Sequence, residues 1–119
     1  MPDNYISISA EKGNINVSEE VIAIIAGAAI SETEGVAGLS NTVGSEIYDF
    51  IGRKSVTKGI KVVFDNNSIV IEATIMVRFG VTIATIAEKV QSAVAAAIEE
   101  MTGIAPVVNV RVAGISFDK

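Results

Sequence analysis

The stretch from Thr82 to Gly103, TIATIAEKVQSAVAAAIEEMTG, constrains the fold most, because residue type marks both its ends and its buried side. Ile83, Ile86, Ala87, Val90, Ala93, Val94, Ala97, Ile98 and Met101 recur at steps of three and four, with Thr85, Glu88, Ser92 and Glu99 opposite them. This spacing predicts an amphipathic helix. At its start the Thr82 hydroxyl can accept a free backbone N–H, and at its end Gly103 can take the left-handed conformation that stops a helix. Ile69 to Phe79 alternates before it, and Val107 to Phe117 is β-branched and alternates in its first half after it. The expected spine is strand, helix, strand.

In the long strand Ile69, Ile71, Ala73, Ile75, Val77 and Phe79 share one face, and Val70, Glu72, Thr74, Met76 and Arg78 share the other. Ile60 to Phe64 is its hairpin partner, joined through Asp65-Asn66-Asn67-Ser68, residues that tolerate left-handed turns. Ile60, Val62, Phe64, Val108, Val110 and Val112 should extend the apolar face. Lys61, Val63, Asn109 and Arg111 belong with the mixed one. Tyr5 to Ser9 and Ile15 to Val17 read as a hairpin around Gly13-Asn14 or as an ordered arm. Ser18 is a candidate N-cap, followed by Glu19 and Glu20 to complement a helix dipole, with Val17 placed to staple against Ile22. That helix should reach about Thr33 and stop at Gly35. The expectation is a single domain, residues 1–119, of the α+β class: two helices packed on one face of a small mixed β-sheet.

The first helix is apolar nearly all round until Glu32. Ile22, Ile25, Ala26 and Ala29 make the natural core face, which leaves Ala23, Ile24, Gly27 and Ile30 on or near the opposite side. A helix of this kind is normally covered on both sides. Either the following loop folds back over Ile24, or a second subunit covers it. On the second reading Ala23, Ile24, Gly27 and Ile30 form a self-association face and the protein is a homo-oligomer. Half the residues are hydrophobic and the mean hydropathy is +0.50, a surplus for a chain with so little interior.

Residues 35–59 show no sustained periodicity and carry five glycines, and long loops of this sort tend to be functional. Arg53, Lys54, Lys58 and Lys61 lie there or just beyond, in a run without an acid. The run is either a solvated loop entering a strand or a partner-binding segment for acidic protein or anionic head groups.

Several function classes fall away. A net charge of −5 argues against nucleic acid as the main ligand. The G-x-x-G at Gly35-Val36-Ala37-Gly38 has no basic residue within it, and Glu32 and Glu34 precede it. With no histidine and no cysteine, the usual proton-transfer and nucleophilic groups are missing, and so are thiolate and imidazole metal ligands. Glu19-Glu20 and Glu99-Glu100 are adjacent on helices and diverge. The reading is therefore of a protein that is no enzyme, with no catalytic residue, metal or cofactor. MPDNYISIS has no basic and apolar leader pattern, and the longest uncharged helical run, Val21 to Ser31, is about half the roughly 20 residues needed to span a bilayer. A cytoplasmic protein is expected, touching membrane only peripherally or through a partner.

Ile15-Asn16-Val17-Ser18, Val21-Ile22 through Ala29, Glu34-Gly35-Val36, Lys58-Gly59-Ile60-Lys61-Val62, Phe79-Gly80-Val81 with Ile83, Val90-Gln91, Met101-Thr102-Gly103 and Val108-Asn109-Val110 with Gly114-Ile115 stand in a characteristic order. From about Gly13 to Phe117 the chain resembles the alkaline-shock-protein/Gls envelope stress response family of Gram-positive bacteria. The resemblance implies a small, abundant, cytoplasmic, non-enzymatic protein of cell-envelope homeostasis. Some such proteins self-assemble and reach the membrane through an anchor protein, and certain short members are linked to fatty-acid metabolism. The first expectation is therefore self-association with docking to a partner near the membrane. The second is a regulatory subunit for an enzyme or carrier protein of fatty-acid synthesis. The family supplies no catalytic residues to carry over.

Overall fold

Alternation produces the longest strand, β5 (Ser68–Arg78), and the main sheet is assembled on its two edges. The computed structural model describes residues 5–39, 59–66 and 68–117. In order, the other elements are β1 (Tyr5–Ala10), β2 (Gly13–Ser18), α1 (Glu19–Ser31), β3 (Val36–Leu39), β4 (Ile60–Asp65), α2 (Ile83–Thr102) and β6 (Val107–Ser116). Ile69, Ile71, Ala73, Ile75 and Val77 are all buried, as the alternation predicts. Phe79, expected to continue them, lies beyond the strand end and is exposed.

β6 runs parallel along one edge of β5, pairing from Val70↔Val107 to Arg78↔Ser116. The opposite edge is shared by two antiparallel strands. β4 pairs with the first half, Asp65↔Ser68 to Ile60↔Ala73, and β3 with the second, Leu39↔Ile75 to Val36↔Val77. The sheet is thus mixed, and the fold is α+β. The short β3 lies in the stretch whose sequence shows no periodicity; a four-residue strand with a bulge between Val36 and Gly38 is too short to show one. β6 also bulges, between its pairings to Ile75 and Met76, which explains why its alternation lapses after Val112.

Both helices cover the buried face of β5. In α2 the buried residues are Ile86, Val90, Val94, Ile98 and Thr102, a strict four-residue stripe. Ile83 and Met101, assigned to the core from spacing, flank this stripe and are exposed. Thr82 precedes α2 in extended conformation but makes no side-chain cap bond, whereas Gly103 ends it at φ 81° as expected. The Gln91 side chain donates to the Val108 carbonyl at 3.0 Å and ties α2 to β6.

Ser18 caps α1, its hydroxyl accepting from the Val21 N–H at 3.2 Å. The helix ends at Ser31, short of Thr33, and the Thr33 hydroxyl turns back to the Ala29 carbonyl at 2.9 Å. Buried on α1 are Ile22, Ala23, Ala26, Gly27 and Ile30, an arc of about 140° at roughly 100° per residue. Ala23, Gly27 and Ile30 therefore face the interior, contrary to the outer position expected for them, and Ile25 and Ala29 are only half-buried. A helix that is apolar on every side does not encode its own rotation, so the sheet decides it.

β1 and β2 form a separate two-stranded sheet whose turn is Glu11-Lys12, not Gly13-Asn14, since Ala10 pairs with Gly13. Ile6 at its base is buried in the core, while Ile15 farther along is exposed.

Candidate interaction surfaces

Among the described residues, three surfaces stand out on this framework. The first is a groove of about 760 Å³ between the outer sides of α1 and α2. Because α1 buries the arc centred on Ala23 and Ala26, its opposite arc of Ile24, Ile25, Ala28 and Ala29 is left beside α2, which contributes Ala93, Ala97 and Met101. Small side chains make the floor. Glu32, Glu34 and Glu100 stand at the margin with Lys89, all four exposed. Of the four residues expected to mediate self-association, the structure brings only Ile24 here. Ala23, Gly27 and Ile30 pack inward.

The second surface is the open face of the sheet. Register sets its cross-strand rows: Val63, Val70 and Val107; then Lys61, Glu72 and Asn109; then Thr74 and Arg111; then Arg78 and Ser116. A shallow concavity of about 390 Å³ lies among Lys61, Glu72, Thr74, Asn109 and Arg111. Of the basic run, Lys61 falls here, exposed on β4, while Arg53, Lys54 and Lys58 lie outside the described residues. Arg78 and Arg111, far from that run in sequence, join Lys61 only through strand register. Their signal in the sequence is the mixed polar face, on which three cations stand against Asp65 and Glu72.

The third surface is an aromatic tip. Phe79 and Phe117, just past the ends of β5 and β6, stack with ring centroids 4.9 Å apart and are largely exposed. The Phe79 N–H donates to the Ser116 carbonyl at 2.8 Å and fixes the pair.

Charge separates between the layers. Among the described residues the helices and the turn after α1 carry Glu19, Glu20, Glu32, Glu34, Glu88, Glu99 and Glu100 against Lys89 alone, whereas the open sheet face carries Lys61, Arg78 and Arg111 against Asp65 and Glu72. No helix among the described residues is long and apolar enough to cross a membrane.

Two relatives from Bacillus subtilis (strain 168) are similar over most of the chain. The uncharacterized protein YqhY is 33% identical over 107 residues, covering 89% of this chain and 79% of its own length. The uncharacterized protein YloU is 28% identical over 113 residues, covering 92% and 94%. The uncharacterized protein Spy1535 of Streptococcus pyogenes serotype M6 is 28% identical over 110 residues, covering 90% and 82%. No solved structure matches the chain significantly. The family profile that matches runs over residues 7–117, from β1 to the aromatic tip, and on that span the chain belongs to the alkaline-shock-protein 23 family, of the Gls24 type, whose function is related to the cell envelope.

Proposed function

We propose that the protein serves its envelope-related role without catalysis, by associating with itself and by docking to a partner at or near the cytoplasmic face of the membrane. The observation that supports this reading is the apolar groove over α1 and α2. Its floor of Ile24, Ile25, Ala28, Ala93 and Ala97 is the surplus apolar side of a helix that already buries its other arc. Seating one isoleucine such as Ile24 against a partner contributes about 1.5 to 3 kcal/mol, enough for a weak contact when repeated across an interface. Ile24→Glu is expected to abolish association in sedimentation while helical content stays unchanged. A wild-type protein that stays monomeric at high micromolar concentration would sink the self-association reading.

The partner contact rests on the basic run. Neutralising Arg53, Lys54, Lys58 and Lys61 together should weaken recovery of an anionic partner or liposome, and added salt should do the same by screening. Recovery indifferent to both treatments returns the run to a solvated loop. A second reading, a regulatory subunit for an enzyme or carrier protein of fatty-acid synthesis, is favoured by Lys61, Arg78 and Arg111 on one sheet face, which suit an acidic protein. Co-purification from native cells distinguishes the two, through the identity of the protein lost when the run is neutralised.

A further inference from the structure

We infer that the occupant of the helical groove is the open sheet face of a second copy of this chain, so that copies stack head to tail. The inference rests on the self-association proposed above and names the two surfaces that meet. Three observations carry it.

The first is charge complementarity within one molecule. The groove margin presents Glu32, Glu34 and Glu100 against Lys89, and the open sheet presents Lys61, Arg78 and Arg111 against Asp65 and Glu72, all of them exposed, so the margin is net acidic and the sheet face net basic. A contact of helical layer with helical layer would bring two net acidic margins together, and one of sheet face with sheet face would bring two net basic faces together. Placing the sheet of one copy on the helices of the next is the arrangement in which both margins meet opposite sign, and such complementarity selects partner and orientation.

The second is apolar matching. The floor of the groove is alanine and isoleucine, and the open sheet offers Val63, Val70 and Val107 as one cross-strand row with Met76 farther along β5. Val63 and Val107 are 39% and 56% exposed, so the row still has surface to bury.

The third is the layer order. Among the described residues, each copy has one sheet face covered by helices and one helical side left uncovered by sheet. Stacking supplies α1 and α2 with a sheet on their second side, repeating between copies the helix-on-sheet packing already present within one. Because the two surfaces differ, the contact is heterologous, and it propagates unless the rotation between copies closes a ring.

The test uses two variants of the full chain. One carries Lys61→Glu with Arg111→Glu and keeps its helical face intact. The other carries Glu32→Lys with Glu100→Lys and keeps its sheet face intact. All four positions are exposed, and circular dichroism checks that each variant folds. In sedimentation at low salt, wild type should form a concentration-dependent series of species that shortens as salt rises. Each variant alone should associate at least tenfold more weakly, because its altered face repels the unaltered one. An equimolar mixture does not restore growth unless the altered faces recognise each other. The Lys61→Glu/Arg111→Glu sheet is acidic and the Glu32→Lys/Glu100→Lys helical side is basic, while the two unaltered faces still match. Both contacts therefore become favourable in alternation, and the mixture should regain the wild-type series. Series formation by either variant alone at wild-type strength overturns the face assignment, and so does a mixture that stays monomeric. Wild type that is monomeric under the same conditions removes self-association itself, a different result from wild type that associates regardless of the substitutions.

Discussion

Two residues show how closely the ends of the helices are specified. Thr102 is a buried polar side chain at the end of α2, and its hydroxyl donates to the Ile98 carbonyl at 2.8 Å while accepting from the Ile104 N–H at 3.0 Å. It thereby serves a backbone group that leaves the helix as well as one inside it. Thr102→Val keeps the shape and removes the acceptor, so the Ile104 N–H is left without its partner, at a cost of about 1 to 3 kcal/mol. The urea midpoint should fall with an unchanged slope, and Thr102→Ser should recover most of the loss. An unchanged midpoint in the valine variant would mean that solvent reaches the Ile104 amide. Gly35 is specified twice over. Its φ is 94°, and a Cβ there would run into the Ile86 side chain, so the turn after α1 and the first core residue of α2 fit together only around glycine. In the sequence Gly35 reads as a helix stop, which is half of its role.

Contrast between the two helices governs what substitutions do. Val90 lies in the middle of the α2 stripe with no exposed surface, so Val90→Asp buries an unpaired charge and should unfold the domain, with loss of the cooperative thermal transition. Ile24→Glu places its charge in the open groove and should leave that transition within a few degrees of wild type. If Ile24→Glu also abolishes the transition, the groove side of α1 is part of the core. The same contrast explains what was legible from sequence. In α2 and β5 polar residues mark the solvent side, so the buried stripe and the buried face could be read directly, apart from Ile83, Met101 and Phe79 at the ends and Ala93 and Ala97, which line the groove instead. In α1 nothing polar intervenes between Val21 and Ile30, and the two apolar arcs are interchangeable until the sheet selects one. The groove was invisible for that reason and for another: it needs α1 and α2 side by side, a fact of tertiary packing. β3 was missed because its four residues gain their strand conformation from β5 rather than from their own pattern. The basic residues of the open face needed strand register to place Arg78 and Arg111 on the same face as Lys61.

At the scale of the whole molecule, one edge of β5 is unusual. β3 and β4 run in the same direction along it, and the Gly59 carbonyl accepts from the Thr74 N–H at 2.9 Å, one residue along from the Leu39↔Ile75 pair. The chain leaves this edge after Leu39 and rejoins it at Gly59, so that β3 and β4 together act as one strand with residues 40–58 inserted between them. The cost of closing a loop grows only with the logarithm of its length. Replacing residues 40–58 by a short Gly/Ser linker should therefore leave the fold intact, with stability unchanged or raised by about 1 kcal/mol, as measured by urea denaturation. A variant that fails to fold would show that the inserted residues complete the core. The replacement also removes Arg53, Lys54 and Lys58 while changing none of the described residues that line the helical groove, so it tests the proposed partner docking apart from the proposed self-association. A sheet edge broken at such a point is a splice site: residues there can lengthen, shorten or change in chemistry while the framework keeps its register. Descendants of one fold could then diversify in what they recognise without renegotiating how they fold.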